Sequence, residues 1–291
     1  MQKELRVVKF GTQVLSNGKT EDPRLSKRKI YDIASALAPY AGNIVVVTSG
    51  AMLAGVEYLR ERGRDVSVPQ FSTYCAPGMD ELARLQAKKE YAKKCAELAG
   101  YGGSRLGQFY QEAFADSGTE SFYETLTHHN FSALERDTIK LSLLDMIADK
   151  TIPVLNAHDF VSREELMPLN GQNTFDDNDK LAKLVAKLLD ATELRFVSTY
   201  CVETGTPGQE GSIPIQTIYS DGTTLRYEGG ILNYEGFNGG SDFGRGGIKH
   251  KIITAVDAAK ELQIPVYINA AKDILQHGLD RVEATQVCYQ P

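Results

Sequence analysis

The sequence predicts an α/β fold, a three-layer sandwich with a mainly parallel central sheet, and three observations carry that prediction. Short apolar β-branched runs such as Asn43–Val47 recur along the chain, as in strands buried on both faces. Amphipathic stretches of helical period separate them, and glycines stand where strands hand over to helices. Taken in order, Leu5–Phe10 reads as the first strand, Ser26–Ala38 as a helix and Asn43–Val47 as a strand, after which Gly50 opens a helix running to Arg60. Pro69, Pro77 and Gly78 break the next stretch. The charged helical pattern Glu81–Leu98 follows, with Leu82, Leu85 and Ala92 on one face, and the whole stretch Glu61–Tyr101 reads as a surface excursion or hairpin. Helices are expected at Arg105–Phe114 and Ala133–Ala148, a strand at Ile152–Leu155, an amphipathic helix at Asp179–Leu189 and a strand at Arg195–Ser198. Ile248–Leu262 and Pro265–Ile268 give a last helix and strand, and the Gly-, Tyr- and Thr-rich tract Tyr200–Gly247 reads as hairpins or loops over a ligand site.

A chain of 291 residues that is 42% hydrophobic and 24% charged has the means to bury a sizeable core, and no linker-like composition divides it, so a single domain with two lobes is expected. A net charge of −6 argues against nucleic acid or an anionic membrane as the main partner, so an anionic ligand requires a local positive site. The N-terminal stretch carries Lys3, Glu4 and Arg6 and no apolar run fit for a signal peptide or membrane span, which predicts a cytoplasmic protein. Cys75, Cys95, Cys201 and Cys288 lie far apart, the spacing of incidental reduced thiols and not of a zinc site.

Three segments have the form of a strand running into a glycine turn: Lys9-Phe10-Gly11-Thr12, Thr48-Ser49-Gly50 and Gly244-Arg245-Gly246-Gly247-Ile248-Lys249-His250-Lys251. Each alone fits an ordinary turn. Together they fit phosphoryl transfer, because glycine lets the backbone approach phosphates closely and Lys9 and Lys251 supply mobile positive charge. Both lysines are expected to be replaceable without loss of folding. Gly18-Lys19-Thr20 is no P-loop, since Gln13 stands where that motif needs glycine, and Asp242-Phe243-Gly244 lacks the catalytic loop of a protein kinase. A polar cluster follows the strand at Ile152–Leu155, with Asn156, His158 and Asp159, and another, Asp176-Asp177-Asn178-Asp179, precedes a helix. The acidic run fits a plain helix cap. It also fits a site in which Asp159 and Asn178 bind the ammonium and carboxylate of an amino acid while Asp179 holds the two lysines.

These segments, in this order, resemble the glutamate 5-kinases of the amino acid kinase family: Val7–Leu15 (VVKFGTQVL), Val45–Gly55 (VVVTSGAMLAG), Gly103–Leu106 (GSRL) and Asp177–Leu181 (DNDKL). The resemblance implies transfer of the γ-phosphoryl group of ATP to the side-chain carboxylate of glutamate, with magnesium accompanying the nucleotide. It implies that Lys9, Lys251 and Asp179 are catalytic and that Ser49, Gly50, Asn156, Asp159 and Asn178 bind the acceptor. Gly11, Thr12, Gly244, Gly246, Gly247 and Lys251 would contact ATP, in a domain whose 1–190 lobe takes the acceptor and whose 191–291 lobe takes the nucleotide. Where the family carries a Thr-Asp pair, this chain has Ser198-Thr199-Tyr200, which makes Ser198 and Thr199 the matching nucleotide positions. The Asn-Glu-Asn-Asp tetrad has become Asn156-Ala157-His158-Asp159, and the Glu61–Lys94 stretch is long for the family. The C-terminal RNA-modification-type domain of many bacterial members is expected to be missing, and a homodimer or homotetramer is expected. A binding protein that has lost turnover, and a kinase of the same fold with another acceptor or donor, are the alternatives.

Overall fold

The computed structural model describes residues 4–18, 22–75, 78–161, 177–204, 210–232, 247–280 and 283–290. Its strands are β1 (Arg6–Phe10), β2 (Ile44–Thr48), β3 (Ser121–Leu126), β4 (Ile152–Ala157), β5 (Glu193–Ser198), β6 (Thr217–Ser220), β7 (Leu225–Tyr227), β8 (Gly230–Ile231), β9 (Val266–Ala270) and β10 (Ala284–Tyr289). Its helices are α1 (Thr12–Leu15), α2 (Lys27–Leu37), α3 (Ala51–Arg60), α4 (Phe71–Tyr74), α5 (Glu81–Asp116), α6 (Arg136–Ala148), α7 (Asp177–Leu188), α8 (Gly247–Leu262) and α9 (Ala271–His277). The strands form one ten-stranded sheet in the order β3-β4-β2-β1-β5-β9-β10-β6-β7-β8. From β3 through β9 every pairing is parallel, so the C-terminal ends of these strands lie along one edge. Antiparallel pairing enters where β10 meets β9 and in the β6-β7-β8 meander.

The β-branched runs become the most buried strands because both of their faces are covered. In β1, Val7 packs into a core shared with α7 and α8, whereas Val8 and Phe10 pack into a second core shared with α2, α3 and α5. Period two therefore aims Lys9 at the α7 and α8 layer. Local chemistry sets the helix starts: the Ser26 hydroxyl accepts from the Lys29 N–H, the Asp80 carboxylate accepts from the Ala83 N–H, and Gly50 takes a left-handed φ of 106° ahead of α3.

The helical pattern at Glu81–Leu98 and the expected helix at Arg105–Phe114 are not two elements in an excursion but one continuous helix, α5, of 36 residues. Gly100, Gly102 and Gly103 look like breakers in the sequence, yet α3 and α5 touch through glycine. A Cβ on Gly102 would lie 1.8 Å from the Ala51 carbonyl oxygen, and one on Gly55 would lie 1.9 Å from that of Leu98. Each helical glycine costs about 1 kcal/mol relative to alanine, and the close backbone packing it permits offsets that cost. Five elements have no clear signal in the sequence: the single-turn helices α1 and α4, the half-exposed β3, the short α9, and β10. The described part of the Tyr200–Gly247 tract extends the far edge of the sheet as β6, β7 and β8. The four cysteines are thiols, and among the described residues no helix is long and apolar enough to cross a membrane.

Gly102→Ala should lower unfolding free energy by about 2 kcal/mol or more, because the new methyl meets backbone atoms that cannot rotate away. Gly103→Ala, whose methyl would meet nothing within 4 Å, should leave stability level or raise it. Urea denaturation of the two variants side by side checks this, and equal stabilities would contradict the close α3–α5 contact.

Candidate active site

The site grows from the end of β1. Lys9 is fully buried, an unusual place for an ammonium, and its Nζ stands 2.5 Å from Oδ1 of Asp179, itself only 2% exposed. Asp179 lies in the first turn of α7, where the N-terminal N–H groups also favour a negative charge. Its neighbour Asn178 ties the same turn to the sheet, since Asn178 Oδ1 accepts from the Ala157 N–H at 2.9 Å, at the end of β4. The Gly11 N–H donates to the Val197 carbonyl at 3.4 Å, which fixes the turn after β1 against β5. A Cβ on Gly11 would sit 3.9 Å from Nζ of Lys251, so the second lysine reaches from α8 over the glycine turn. β1, α7 and α8 thus bring Lys9, Asp179, Gly11 and Lys251 to one place. The expectation of two mobile lysines is corrected for Lys9: it is clamped, and its removal strands a buried carboxylate.

Beside this seam, between α3, α5, β3 and β4, lies a cavity of about 300 Å³. Ala51, Ser104, Tyr123, Glu124, Asn156 and Asp159 line it, and among its described lining residues there are carboxylates but no lysine or arginine. Two buried polar atoms near it lack a partner, Oδ1 of Asn156 and Oγ of Ser49. An unsatisfied buried group costs about 1–3 kcal/mol, so such pairs of orphans mark a place built for a ligand. The other end of the Asn156 amide is engaged, with Nδ2 donating to the Tyr123 hydroxyl at 3.1 Å. Ser49 is held by its backbone: its N–H donates to the Phe10 carbonyl, and its carbonyl accepts from Thr48 Oγ1 at 3.0 Å. Thr48 Oγ1 in turn lies 2.8 Å from the Tyr110 hydroxyl. Burial pushes the Tyr110 and Tyr123 hydroxyls up, so both stay protonated at neutral pH.

Thr12 opens α1, and Gly50 caps α3 beside Ser49. Ser198 ends β5 and Thr199 follows it, exposed, on the β5 side of the Gly11 turn and away from the cavity. Gly247 opens α8 and Asp177 opens α7, whereas Asp176, Gly244 and Gly246 lie outside the described residues. Tyr110 and Tyr123 were not anticipated. Tyr110 sits in an apolar helical stripe with Phe109 and Phe114, and nothing in sequence separates it from ordinary core. Tyr123 belongs to β3, itself unforeseen; its ring packs on Gly107, where a Cβ would fall 2.5 Å from Cδ1. No cluster of three His, Cys, Asp or Glu stands ready to hold a metal among the described residues.

A family model described as the amino acid kinase family matches residues 4–269. The chain belongs to that family. Glutamate 5-kinase 1 of Bacillus licheniformis is 28% identical over 279 residues, covering 94% of this chain and 65% of that relative. Glutamate 5-kinase of Sodalis glossinidius is 31% identical over 275 residues, covering 91% of this chain and 62% of the relative. The chain therefore spans less than two thirds of the length of these curated relatives. A solved isopentenyl phosphate kinase shares the fold with a TM-score of 0.54 at 14% identity, covering 97% of this chain and 100% of that one. The mixed α/β fold with its large, mostly parallel sheet is the one this solved structure shares.

Lys9→Met should lower stability by about 3–5 kcal/mol, because it leaves Asp179 buried and unpaired. The double variant Lys9→Met/Asp179→Asn should recover most of that loss, since no uncompensated charge remains. Chemical denaturation of the single and double variants measures the difference, and a double variant less stable than the single would refute the pairing.

Proposed function

We propose that this kinase transfers the γ-phosphoryl group of ATP to the side-chain carboxylate of glutamate, forming glutamyl 5-phosphate. The observation that carries the reading is the cavity, with its orphaned Asn156 Oδ1 and its carboxylates Glu124 and Asp159, and with Ala157 on its wall bonded to Asn178, the neighbour of the Lys9 partner Asp179. An acceptor amide oxygen and two carboxylates suit an ammonium, and the Ser49 hydroxyl suits a carboxylate. A phosphorylated alkyl acceptor would meet two carboxylates, one histidine, His158, and no lysine or arginine on the described lining, which argues against the acceptor named for the solved structural relative.

In this reading glutamate lies with its ammonium toward Asp159, Glu124 and Asn156, and its side-chain carboxylate reaches the seam of Lys9 and Lys251. The nucleotide lies over Gly11 and the start of α8, with Thr12, Ser198 and Thr199 beside it, and the triphosphate would bring its own magnesium, which neutralises phosphate charge when bound. A side-chain carboxylate with a pKa of about 4.3 is already ionised at neutral pH, so no general base is required. Catalysis falls to positioning and to the charge of the lysines: Asp179 fixes the Lys9 ammonium in advance, and Lys251 follows the transferring oxygens.

The test is turnover of ATP with magnesium and hydroxylamine trapping of acyl phosphate, offering glutamate, aspartate, N-acetylglutamate, isopentenyl phosphate or no acceptor. Glutamate should give hydroxamate, and N-acetylglutamate, which keeps the side chain but lacks the ammonium, should give far less. Lys251→Ala should lower kcat by about a hundredfold or more with little change in stability, whereas Asp159→Ala should raise the KM for glutamate. Turnover with isopentenyl phosphate alone, or none with any acceptor, would overturn the proposal.

A further inference from the structure

The position of Lys251 depends on α8, and α8 is held to α7 by a ladder of charges on their outer sides. Lys183 Nζ lies 2.5 Å from Asp257 Oδ2 and 2.8 Å from Glu261 Oε2, and Lys187 Nζ lies 2.6 Å from Glu261 Oε1. The two rungs Lys183–Asp257 and Lys187–Glu261 span the same offset of 74 residues, which requires parallel helices in a single axial register. Carried toward the N-termini, that offset sets Lys251 level with Asp177, beside Asn178 and Asp179. Lys251 and Asp257 are separated along the axis by only about 9 Å at 1.5 Å per residue.

The apolar contact beneath the ladder is built largely of small side chains, and the charges add direction to it. α8 presents Ile252, Ala255, Ala258 and Ala259 to the core it shares with Leu181, Ala182, Val185 and Ala186 of α7, and burial of apolar surface is non-directional. The ion pairs are directional. Isolated exposed pairs contribute little, but here four charges share one network, and its centre, the Lys183 side chain, is 15% exposed. The carboxyl of Glu261 is held down to about 2 by its bonds to Lys183 and Lys187, so it stays ionised throughout the neutral range.

We infer that Lys183, Lys187, Asp257 and Glu261 are positioning residues, a charge ladder that sets the axial register of α8 on α7 and thereby keeps Lys251 at a fixed distance from the Lys9–Asp179 pair. The inference rests on the catalytic role proposed for Lys251. A ladder of this kind acts on the transition state and not on acceptor binding, because α3, α5, β3 and the end of β4 line the cavity and no described residue of α7 or α8 does.

The experiment compares Lys183→Met and Lys183→Arg with the wild-type chain. Lys183→Met should lower kcat about tenfold while the KM for the acceptor stays within about twofold, a split that a general loss of stability would not produce. Lys183→Arg keeps the charge and should restore most of the rate. Amide hydrogen exchange over residues 248–256 should rise in Lys183→Met and not in Lys183→Arg, with the exchange of β1 unchanged; this arm needs no acceptor, so it tests the ladder even if glutamate is not the substrate. Failure of the functional reading would appear separately, as full turnover in Lys251→Ala. Unchanged exchange over 248–256, kcat within twofold of wild type, or an arginine variant no better than the methionine one would each overturn the inference.

Discussion

A buried ammonium is the constraint around which the molecule is arranged. Lys9 has no exposed surface, and moving an ion of that size out of water carries a penalty of several kcal/mol even after the surroundings relax. Asp179 is what makes the position tenable, and Asp179 must therefore arrive at the face of β1 that Lys9 points to. That requirement fixes where α7 begins, how it crosses the sheet and which residues flank it. Asn178 anchors the same turn to the end of β4, so one short segment couples the cation to the strand that supplies the cavity wall. The pair is thus less a source of stability than a source of specificity in the placement of three elements. It also holds its charge in position before any ligand arrives, which spares the site the reorganisation that water would require.

The charges of the site are distributed unevenly. Carboxylates and an unpaired amide oxygen face the cavity, and the lysines face the seam between β1 and β5. A zwitterion with a second carboxylate at its far end would be aligned by such a field, its ammonium and its distal carboxylate drawn in opposite directions. An acceptor whose only charge is a phosphate has no such preference on the described lining. Shape and dispersion do not need to supply the orientation, which suits a cavity with polar walls and a half-exposed Phe160 at its rim.

Much of this was legible before the structure. Parallel strands announce themselves as unbroken apolar runs, and a lysine in such a run, as at position 9, is conspicuous for the same reason. The acidic start of α7 was visible, but its reading as a helix cap or as a partner for lysine could be decided only by the register that brings it to β1. The single helix α5 was illegible because Gly100, Gly102 and Gly103 carry local turn chemistry, and only a tertiary contact with Ala51 and Gly55 overrides it. β3 was missed since its polar, half-exposed residues alternate weakly, and with it went Tyr123. Tyr110 was hidden for the opposite reason, being indistinguishable from a core aromatic until its hydroxyl meets Thr48.

The two tyrosines show how the fold keeps polar atoms unsatisfied without letting them wander. Thr48 spends its proton on the Ser49 carbonyl, so the Tyr110 hydroxyl donates to Thr48, and the chain of bonds runs from the helix interior to the backbone of Ser49. With its N–H and carbonyl both engaged, Ser49 has only its hydroxyl left to offer. Tyr123 does the same for Asn156, engaging Nδ2 and leaving Oδ1. In each case one polar atom is left over, and the leftover atoms are of complementary kinds, a hydroxyl able to donate and an oxygen able only to accept. The cost of burying them unpaired, about 1–3 kcal/mol apiece, is borne by the glycine-mediated contact of α3 and α5 that encloses them, and it is recovered only by a ligand that brings a donor to Asn156 and an acceptor to Ser49.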